Sequence, residues 1–167
     1  MTRFDALLLA LTLGAPPAPA AAPAPQVKIH EVLGGPAGYL DLHNVGAAAA
    51  DLGGWSLRSC TGGPAPVELA LLPVGAEIYA DGHFLVAAGG FGGTEVAGLV
   101  VPEIPGDGQM LLDQRRVRVD SVAWTSASPC RERDAAVACP GLAESRDAFS
   151  RDTDDNRADF SCARSRR

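Results

Sequence analysis

The stretch GYLDLHNVGAAAADLGGWSL, residues 38–57, contains the pattern that decides the fold. In its first half, Leu40 and Leu42 fall on one side of an extended chain, whereas Asp41 and His43 fall on the other. This alternation predicts a β-strand with one buried face and one solvent-exposed face. It also places His43 on the exposed face, as a solvated surface histidine.

The second half of the stretch predicts a tight entry into another strand. The Gly53-Gly54 pair lets the chain turn sharply, after which Trp55 can place its large apolar surface in the core. Asn44 suits a turn in which its side chain bonds to the backbone. The residues expected in the core are Trp55, Leu57, Leu40, Leu42 and Trp124.

Short β-like runs of the same kind recur along the chain and are separated by Gly, Pro, Asn and Asp. None of these runs has the 3.6-residue apolar period of a helix. Many short strands with turn residues at this spacing predict an antiparallel β-sandwich. The predicted strands are 27–33, 39–45, 55–59, 67–71, 77–80, 83–88, 109–113, 116–124 and a run near 158–162.

The order of these motifs resembles that of the lamin-tail domain, an immunoglobulin-like antiparallel β-sandwich. The pattern of an acid, Leu and Asn followed by L-x-G-W-x-L is the specific part. The resemblance implies a binding or scaffolding module, of a kind found in exported bacterial proteins and sometimes beside nuclease or hydrolase domains. The motifs are VKIHEV (27–32), GYLDLHNVG (38–46), LGGWSL (52–57), LLPVGAEI (71–78), FLVAA (84–88), GQMLLD (108–113) and VDSVAW (119–124).

The N-terminus has the order of a secretory signal peptide. Arg3 precedes an apolar run over residues 6–13, and small residues follow up to Ala20, where cleavage is expected. The sequence therefore predicts a secreted protein. Its expected parts are a signal peptide (1–20), a Pro/Ala-rich spacer (21–26), a lamin-tail-like sandwich (27–125) and a C-terminal extension (126–167) that packs on the sandwich.

Charge and hydropathy narrow the classes of partner. The formal net charge of -6 argues against binding to nucleic acid through the overall electrostatic field. No run of about 18 apolar residues is present, so no membrane span is expected. We expect a monomer whose partner is a protein or a cell-envelope component.

The four cysteines form an even set, which in an exported chain favours disulfides. No pair has the C-x(2–4)-C spacing of a structural zinc site. Of the three possible pairings we expect Cys130 with Cys139, which would close a short loop. The remaining pair, Cys60 with Cys162, would then tie the end of the chain to an early strand.

The stretch SRDAFSRDTDDNRADFSC, residues 145–162, concentrates acidic residues and repeats the first half of a calcium loop. An EF-hand is excluded, because Arg157 stands where the loop needs glycine and Ala163 where it needs a bidentate carboxylate. An irregular calcium site remains one hypothesis. Its ligands would be Asp152, Asp154, Asn156 and Asp159.

The other hypothesis for this stretch is a closing turn without an ion. Asp and Asn side chains would accept hydrogen bonds from amides of their own loop, and neighbouring arginines would offset their charge. Phe149 and Phe160 would then anchor the turn in apolar surroundings, and Cys162 would fasten its end.

The sequence does not assemble a catalytic set. It lacks G-x-S-x-G, and His30, His43 and His83 stand apart from any recognisable nucleophile or ligand partner. We therefore expect no catalytic residue and no cofactor other than calcium. The predicted function is a secreted, non-catalytic binding or scaffolding module. The alternatives are a calcium-stabilised extracellular module using residues 152–159 and, less favoured, a secreted hydrolase or nuclease accessory domain.

Overall fold

A computed structural model describes residues 26–165 and shows a nearly all-β chain. Its only helical segment among these residues is a single turn, α1. The strands are β1 (Val27–Leu33), β2 (Tyr39–Asn44), β3 (Ala50–Asp51), β4 (Ser56–Cys60), β5 (Val67–Leu71), β6 (Glu77–Ile78), β7 (His83–Ala88), β8 (Leu99–Val101), β9 (Gly108–Leu112), β10 (Arg118–Ala123), β11 (Ala143–Ser145) and β12 (Ser161–Ala163), with α1 at Asn156–Asp159.

The strands form two larger sheets and a small one. The six-stranded sheet has the order β12-β11-β1-β2-β7-β8, and the four-stranded sheet has the order β10-β9-β4-β5. β3 and β6 form a separate pair. All of the pairings are antiparallel except that of β7 with β8.

The two larger sheets share one apolar core. Ile29, Leu42 and Val86 from the six-stranded sheet belong to the same buried cluster as Leu57 and Leu111 from the four-stranded sheet. This arrangement follows from the two-residue alternation, which collects the apolar side chains of each strand on one face. The predicted core is confirmed for Leu40, Leu42, Trp55 and Leu57, and Trp124 is partly buried against it.

Local turn chemistry also matches the sequence. Gly54 adopts a φ of 78°, a left-handed conformation that favours glycine, directly before Trp55. The Asn44 amide donates to the carbonyl oxygens of Ala48 and Ile78, and its oxygen accepts from the Gly46 N–H. One side chain therefore organises the turn that follows β2.

The expectation that His43 is solvated is wrong. His43 projects from the non-core face of β2 as the alternation requires, but it is 2% exposed. Residues 146–152, here called the strap, cross this face and bring the Ser150 hydroxyl to 2.8 Å from His43 Nδ1. Both faces of β2 are therefore buried.

The two sides of the molecule differ in how the edges of the two larger sheets meet. On one side, here called the closed seam, β10 lies against β1, and the Ile29 N–H donates to Asp120 Oδ2 at 2.6 Å. On the other side, here called the open seam, β5 ends the four-stranded sheet and β8 ends the six-stranded sheet. The strap and the strands that follow β10 thus belong to the closed seam.

The disulfide pairing expected from the sequence is wrong. The structure joins Cys60 to Cys130 and Cys139 to Cys162. Cys130 lies in a buried cluster with Cys60 at the end of the four-stranded sheet, whereas Cys162 is part of β12 in the six-stranded sheet. The segment 130–139 passes from one sheet to the other, so each of its two cysteines pairs with a cysteine in the strand that it reaches, Cys60 in β4 or Cys162 in β12.

The two disulfides are compatible with an oxidising, extracellular environment. Within residues 26–165, no helix has the length and apolar character needed to cross a membrane. The predicted signal peptide and residues 21–25 of the spacer lie outside the described residues.

Removing either disulfide should destabilise the fold, and the longer loop should cost more. The bridged cysteines are 70 and 23 residues apart. In the chain-entropy model, replacing Cys60 and Cys130 by alanine should lower the free energy of unfolding by about 4 kcal/mol, and replacing Cys139 and Cys162 by about 3 kcal/mol. Urea denaturation measures both values. A non-reducing peptide map that joined Cys60 to Cys162 would contradict the pairing.

Candidate functional site

A buried arginine organises the Asp-rich C-terminal region. Arg146 directly follows β11, and its side chain is fully buried. The Arg146 Nε donates to the carbonyl oxygen of Ile29 at 3.1 Å, and one terminal nitrogen donates to the carbonyl oxygen of Arg151 at 2.7 Å. The Phe160 ring lies 4.4 Å from the guanidinium carbon. The guanidinium is therefore bound to β1, to the strap and to an aromatic face at once.

Four carboxylates from different segments surround this guanidinium. Asp120 Oδ1 lies 3.0 Å from one terminal nitrogen of Arg146, and Asp152 Oδ1 lies 3.3 Å from the same nitrogen. Asp159 Oδ2 lies 2.9 Å from the other terminal nitrogen, and Glu132 Oε2 lies 3.9 Å away. We call these four carboxylates and Arg146 the arginine cluster. It joins β10, the loop after β10, the strap and α1.

Asn156 completes the arginine cluster through its amide. Its oxygen accepts from the N–H groups of Ala123 and Glu132 at 3.1 and 3.0 Å. Its nitrogen donates to the Ser121 carbonyl oxygen at 2.9 Å and to Glu132 Oε2 at 3.1 Å. Four hydrogen bonds satisfy this fully buried amide, which fixes α1 against β10.

The four residues predicted as calcium ligands contact different partners in the structure. The Asp152 carboxylate binds Lys28 and Arg146, and that of Asp159 binds Arg146 and Thr153. The Asn156 amide donates hydrogen bonds to β10 and to Glu132, and Asp154 is exposed to solvent. The turn hypothesis describes these contacts better, although Phe149 is 80% exposed and therefore does not anchor the turn. Phe160 is buried, as that hypothesis expects.

One carboxylate group in the described part of the chain has the spacing of metal ligands. It consists of Asp120, Glu132 and Asp152, which each offer an oxygen within 4.8 Å of the others. Arg146 contacts all three carboxylates, so its guanidinium already supplies positive charge at this point. We interpret the arginine cluster as an internal cross-link of the closed seam.

Burial in the arginine cluster, followed by the repulsion among its carboxylates, raises the pKa of two carboxyl groups. Burial raises the pKa of Asp120 to about 6 against the opposing attraction of Arg146. Burial, together with the charges of Asp120 and Asp152, raises the pKa of Glu132 to about 7. Near neutral pH the cluster therefore holds a proton that an exposed glutamate would have lost.

A second polar cluster lies beside the first, on the outer face of the six-stranded sheet. The imidazoles of His43 and His83 stack in parallel with centroids 4.3 Å apart, and that of His30 lies within 5.8 Å of both. Nδ1 of His30 and Nδ1 of His43 each lie 2.8 Å from Ser150 Oγ. We call these four residues the histidine cluster.

Two aspartates orient the histidine cluster. Asp41 Oδ2 lies 2.8 Å from His83 Nδ1, and Asp81 Oδ1 lies 3.1 Å from His43 Nε2. Ser150, His43 and Asp81 thus have the connectivity of a serine nucleophile with its base. Ser150 is only 2% exposed, however, and the Asp81 side chain is 95% exposed, which reverses the burial that a catalytic triad needs.

The expectation that the three histidines stand apart is wrong, because their rings contact one another. The strand pairing places His43 directly opposite His83 on neighbouring strands, and β1 lies next to β2. Each histidine falls within a correctly predicted strand. The register between those strands, which a single sequence does not specify, was the missing information.

A groove of about 300 Å³ lies at the open seam. Val67 and Leu69 of β5 form one wall, and Pro102 and Pro105, which follow β8, form the other. The groove therefore runs between the edges of the two larger sheets and has a mostly apolar lining. Glu103 lies at its rim.

Removing the Arg146 guanidinium should destabilise the fold strongly. Arg146→Met would leave buried carboxylates without their shared cation, which we expect to cost about 3–5 kcal/mol of unfolding free energy. Arg151→Met is the matched control, because its side chain is 74% exposed and its solvent-screened ion pair with Asp147 should contribute little to stability. Urea denaturation compares both variants with the wild type. Equal stability of the two variants would contradict the role assigned to Arg146.

Stability should depend on the ionisation of Glu132. Because its pKa is raised to about 7 from an ordinary 4.5, the folded state binds more protons than the unfolded state between these values. The Glu132 contribution therefore favours folding below about pH 4.5 and is lost as pH rises through 7. Glu132→Gln should flatten the decline in melting temperature between pH 5 and 7.5. The exposed Glu68→Gln should leave that decline unchanged, and parallel curves for Glu132→Gln would refute the assignment.

Comparisons with known proteins give no family assignment. The chain matches no protein-family model, and no curated protein matches it. The resemblance to the lamin-tail domain therefore remains an expectation that rests on the quoted motifs.

Proposed function

We propose that this chain is a secreted, non-catalytic binding module with an immunoglobulin-like, lamin-tail-like sandwich. Its partner is a protein that contributes an extended polypeptide segment to the open seam. The observation that carries the proposal is the edge strand β5, which ends its sheet beside an apolar groove.

The edge of β5 favours an extended polypeptide over other partners. A strand at the end of a sheet directs one row of backbone N–H and C=O groups away from its neighbours, and a partner strand can pair with that row. Val67 and Leu71 of this strand are 59% and 50% exposed, so apolar side chains accompany the open backbone. Both features suit strand addition.

The groove adds a preference for the side chains of the partner. Val67, Leu69, Pro102 and Pro105 offer apolar surface to every second side chain of an added strand. Glu103 at the rim would attract a basic residue, and the net charge of -6 would speed the approach of a basic segment. The expected partner segment alternates apolar with basic or polar residues.

The polar clusters support a non-catalytic role. In the arginine cluster, the four carboxylates pair with a buried guanidinium. In the histidine cluster, the Ser150 hydroxyl is almost fully buried. Neither cluster therefore presents a nucleophile to a substrate. Secretion is supported by the two disulfides and by the signal-like N-terminal sequence.

Site-specific photo-crosslinking tests the proposal. A photoreactive amino acid at Val67 should capture a polypeptide when the protein is mixed with the proteins of its native culture medium and envelope. The same residue at Val137, which is 46% exposed and lies in the segment joining the two sheets, is the control and should capture little. Mass spectrometry of the adduct identifies the partner segment.

Competition completes this experiment. Excess wild-type protein should suppress the Val67 adduct, whereas the Val67→Asp variant should suppress it at least about tenfold less, because a charge on the wall of the groove opposes apolar contact. A glycan adduct at Val67 would refute a polypeptide partner. Equal adduct yields from Val67 and Val137 would refute the open seam as the binding surface.

A further inference from the structure

A cavity of about 570 Å³, here called the end cavity, lies at one end of the sandwich. Its walls are the turn after β1, the loop between β8 and β9, and the segment that leads to β11. The backbone groups of Gly35 and Ile104 bond to each other across the first two walls, and the Cys139–Cys162 disulfide ties the third wall to β12. The volume suits a small organic molecule, since pockets for such ligands measure about 300–1,000 Å³.

The charged side chains of the end cavity are all acidic. They are those of Glu103 and Glu144, and the described residues that line the cavity include no Lys, Arg or His. Glu103 is exposed, whereas Glu144 is only 5% exposed. A cleft lined by charges of one sign concentrates their field, so the end cavity attracts cations and repels anions.

Glu144 is a buried carboxyl group without a basic partner. It lies directly opposite Val32 in the pairing of β11 with β1, so its side chain projects from the same face of the sheet as this core residue. Its Oε1 accepts a hydrogen bond from the Cys139 N–H at 3.0 Å. Within residues 26–165 it forms no ion pair. Burial raises its pKa. Because an unpaired buried carboxylate is costly, its place in a cavity indicates a ligand that supplies the positive charge.

Apolar and aromatic surface forms much of the rest of the end cavity. Trp124, which directly follows β10, contributes its indole, and Ile104 and Leu142 contribute aliphatic side chains. Aromatic rings and carboxylates together suit organic cations, whose charge is attached to hydrocarbon. A metal ion, which needs several oxygen ligands, would gain nothing from the apolar surface.

We propose that the end cavity binds a small organic cation in which a primary ammonium or guanidinium group is attached to a hydrocarbon chain or ring. The cationic group pairs with Glu144, and the hydrocarbon part lies against Trp124. Glu103 and Pro105 also line the groove at the open seam, so the two cavities are neighbours. The ligand of the end cavity is nevertheless a small molecule and not a polypeptide, and this proposal does not depend on the proposed function.

Ligand titration of the protein tests the proposal. The probes are phenethylamine and benzylguanidine, each compared with phenethyl alcohol, in which a neutral hydroxyl replaces the cationic group. We expect one cation per chain, bound at least about tenfold more tightly than the alcohol, because hydrogen bonds between charged groups are the stronger ones. In nuclear magnetic resonance spectra the indole N–H signal of Trp124 should shift, whereas that of Trp55, a core residue outside the cavity, should not.

A pair of charge variants tests the role of Glu144. Glu144→Gln should weaken binding of both cations at least about tenfold, because it removes the charge but keeps an oxygen to accept the Cys139 N–H. Glu77→Gln is the matched control, since it removes the same charge from an exposed residue of β6 outside the end cavity. It should bind both cations as the wild type does.

Filling the end cavity gives a second test that leaves every charge in place. A Cβ atom on Gly34 would lie 3.7 Å from the carbonyl oxygen of Ile104 and 4.0 Å from Trp124 Cζ2, which are ordinary contact distances. Gly34→Val should therefore fold, which circular dichroism checks, and should abolish binding because its side chain occupies the cavity. Gly92→Val, at an exposed glycine whose Cβ would meet nothing within 4 Å, is the control and should bind normally.

A blocked tripeptide with lysine at its centre distinguishes a small molecule from a polypeptide side chain that carries the same ammonium group. The tripeptide should bind more weakly than phenethylamine. Tighter binding of the tripeptide would overturn the assignment to a small molecule. Equal affinity for the cations and the alcohol, or undiminished binding by both Glu144→Gln and Gly34→Val, would overturn the site itself.

Discussion

The buried guanidinium of Arg146 is the interaction on which the closed seam depends. It is the shared partner of carboxylates from β10, the loop after β10, the strap and α1, and it also bonds to the backbone of β1. A buried ion pair contributes little net stability compared with apolar packing, but it tolerates few alternative arrangements. The closed seam is therefore specified by charge and hydrogen-bond geometry, whereas the interior between the sheets is specified by apolar shape. The same strap that carries Asp152 also carries Ser150, so the arginine and histidine clusters are parts of one assembly.

Much of the strand content could be predicted from the sequence, because alternation and turn residues are local signals. The nine predicted strands correspond to β1, β2, β4, β5, β6, β7, β9, β10 and β12. β3, β8 and β11 were missed, since two or three residues are too few to show a period of two. Alternation also tells which side of β2 His43 occupies, but not what covers that side. The strap lies more than a hundred residues further along the chain, and only the tertiary fold brings it there.

The contacts of the arginine cluster were harder to predict, because they also depend on which distant segments the tertiary fold brings together. The sequence identifies the acidic residues of 145–162, but it does not show which cation their carboxylates contact. In the structure this cation is Arg146, a member of the same stretch. Asp120 and Glu132, from earlier segments, contact the same guanidinium. Local spacing predicts a metal loop, but it cannot show that the Arg146 side chain contacts two of the four predicted ligands, Asp152 and Asp159. The disulfide prediction was wrong for the same reason: spacing favoured the pair nearest in sequence, but Cys130 is bonded to Cys60 in β4 and Cys139 to Cys162 in β12, strands of different sheets.

The order of the disulfides along the chain has a consequence for biogenesis. The cysteines pair first with second and third with fourth, so neither loop encloses or crosses the other. In a chain exported N-terminus first, as we propose, an oxidant that joins each cysteine to the next one to emerge forms both native bridges directly. Thiol–disulfide exchange, which is slow and needs a free thiolate, is then unnecessary. Both disulfides can thus form in the order in which the cysteines emerge, with no rearrangement of an earlier bridge.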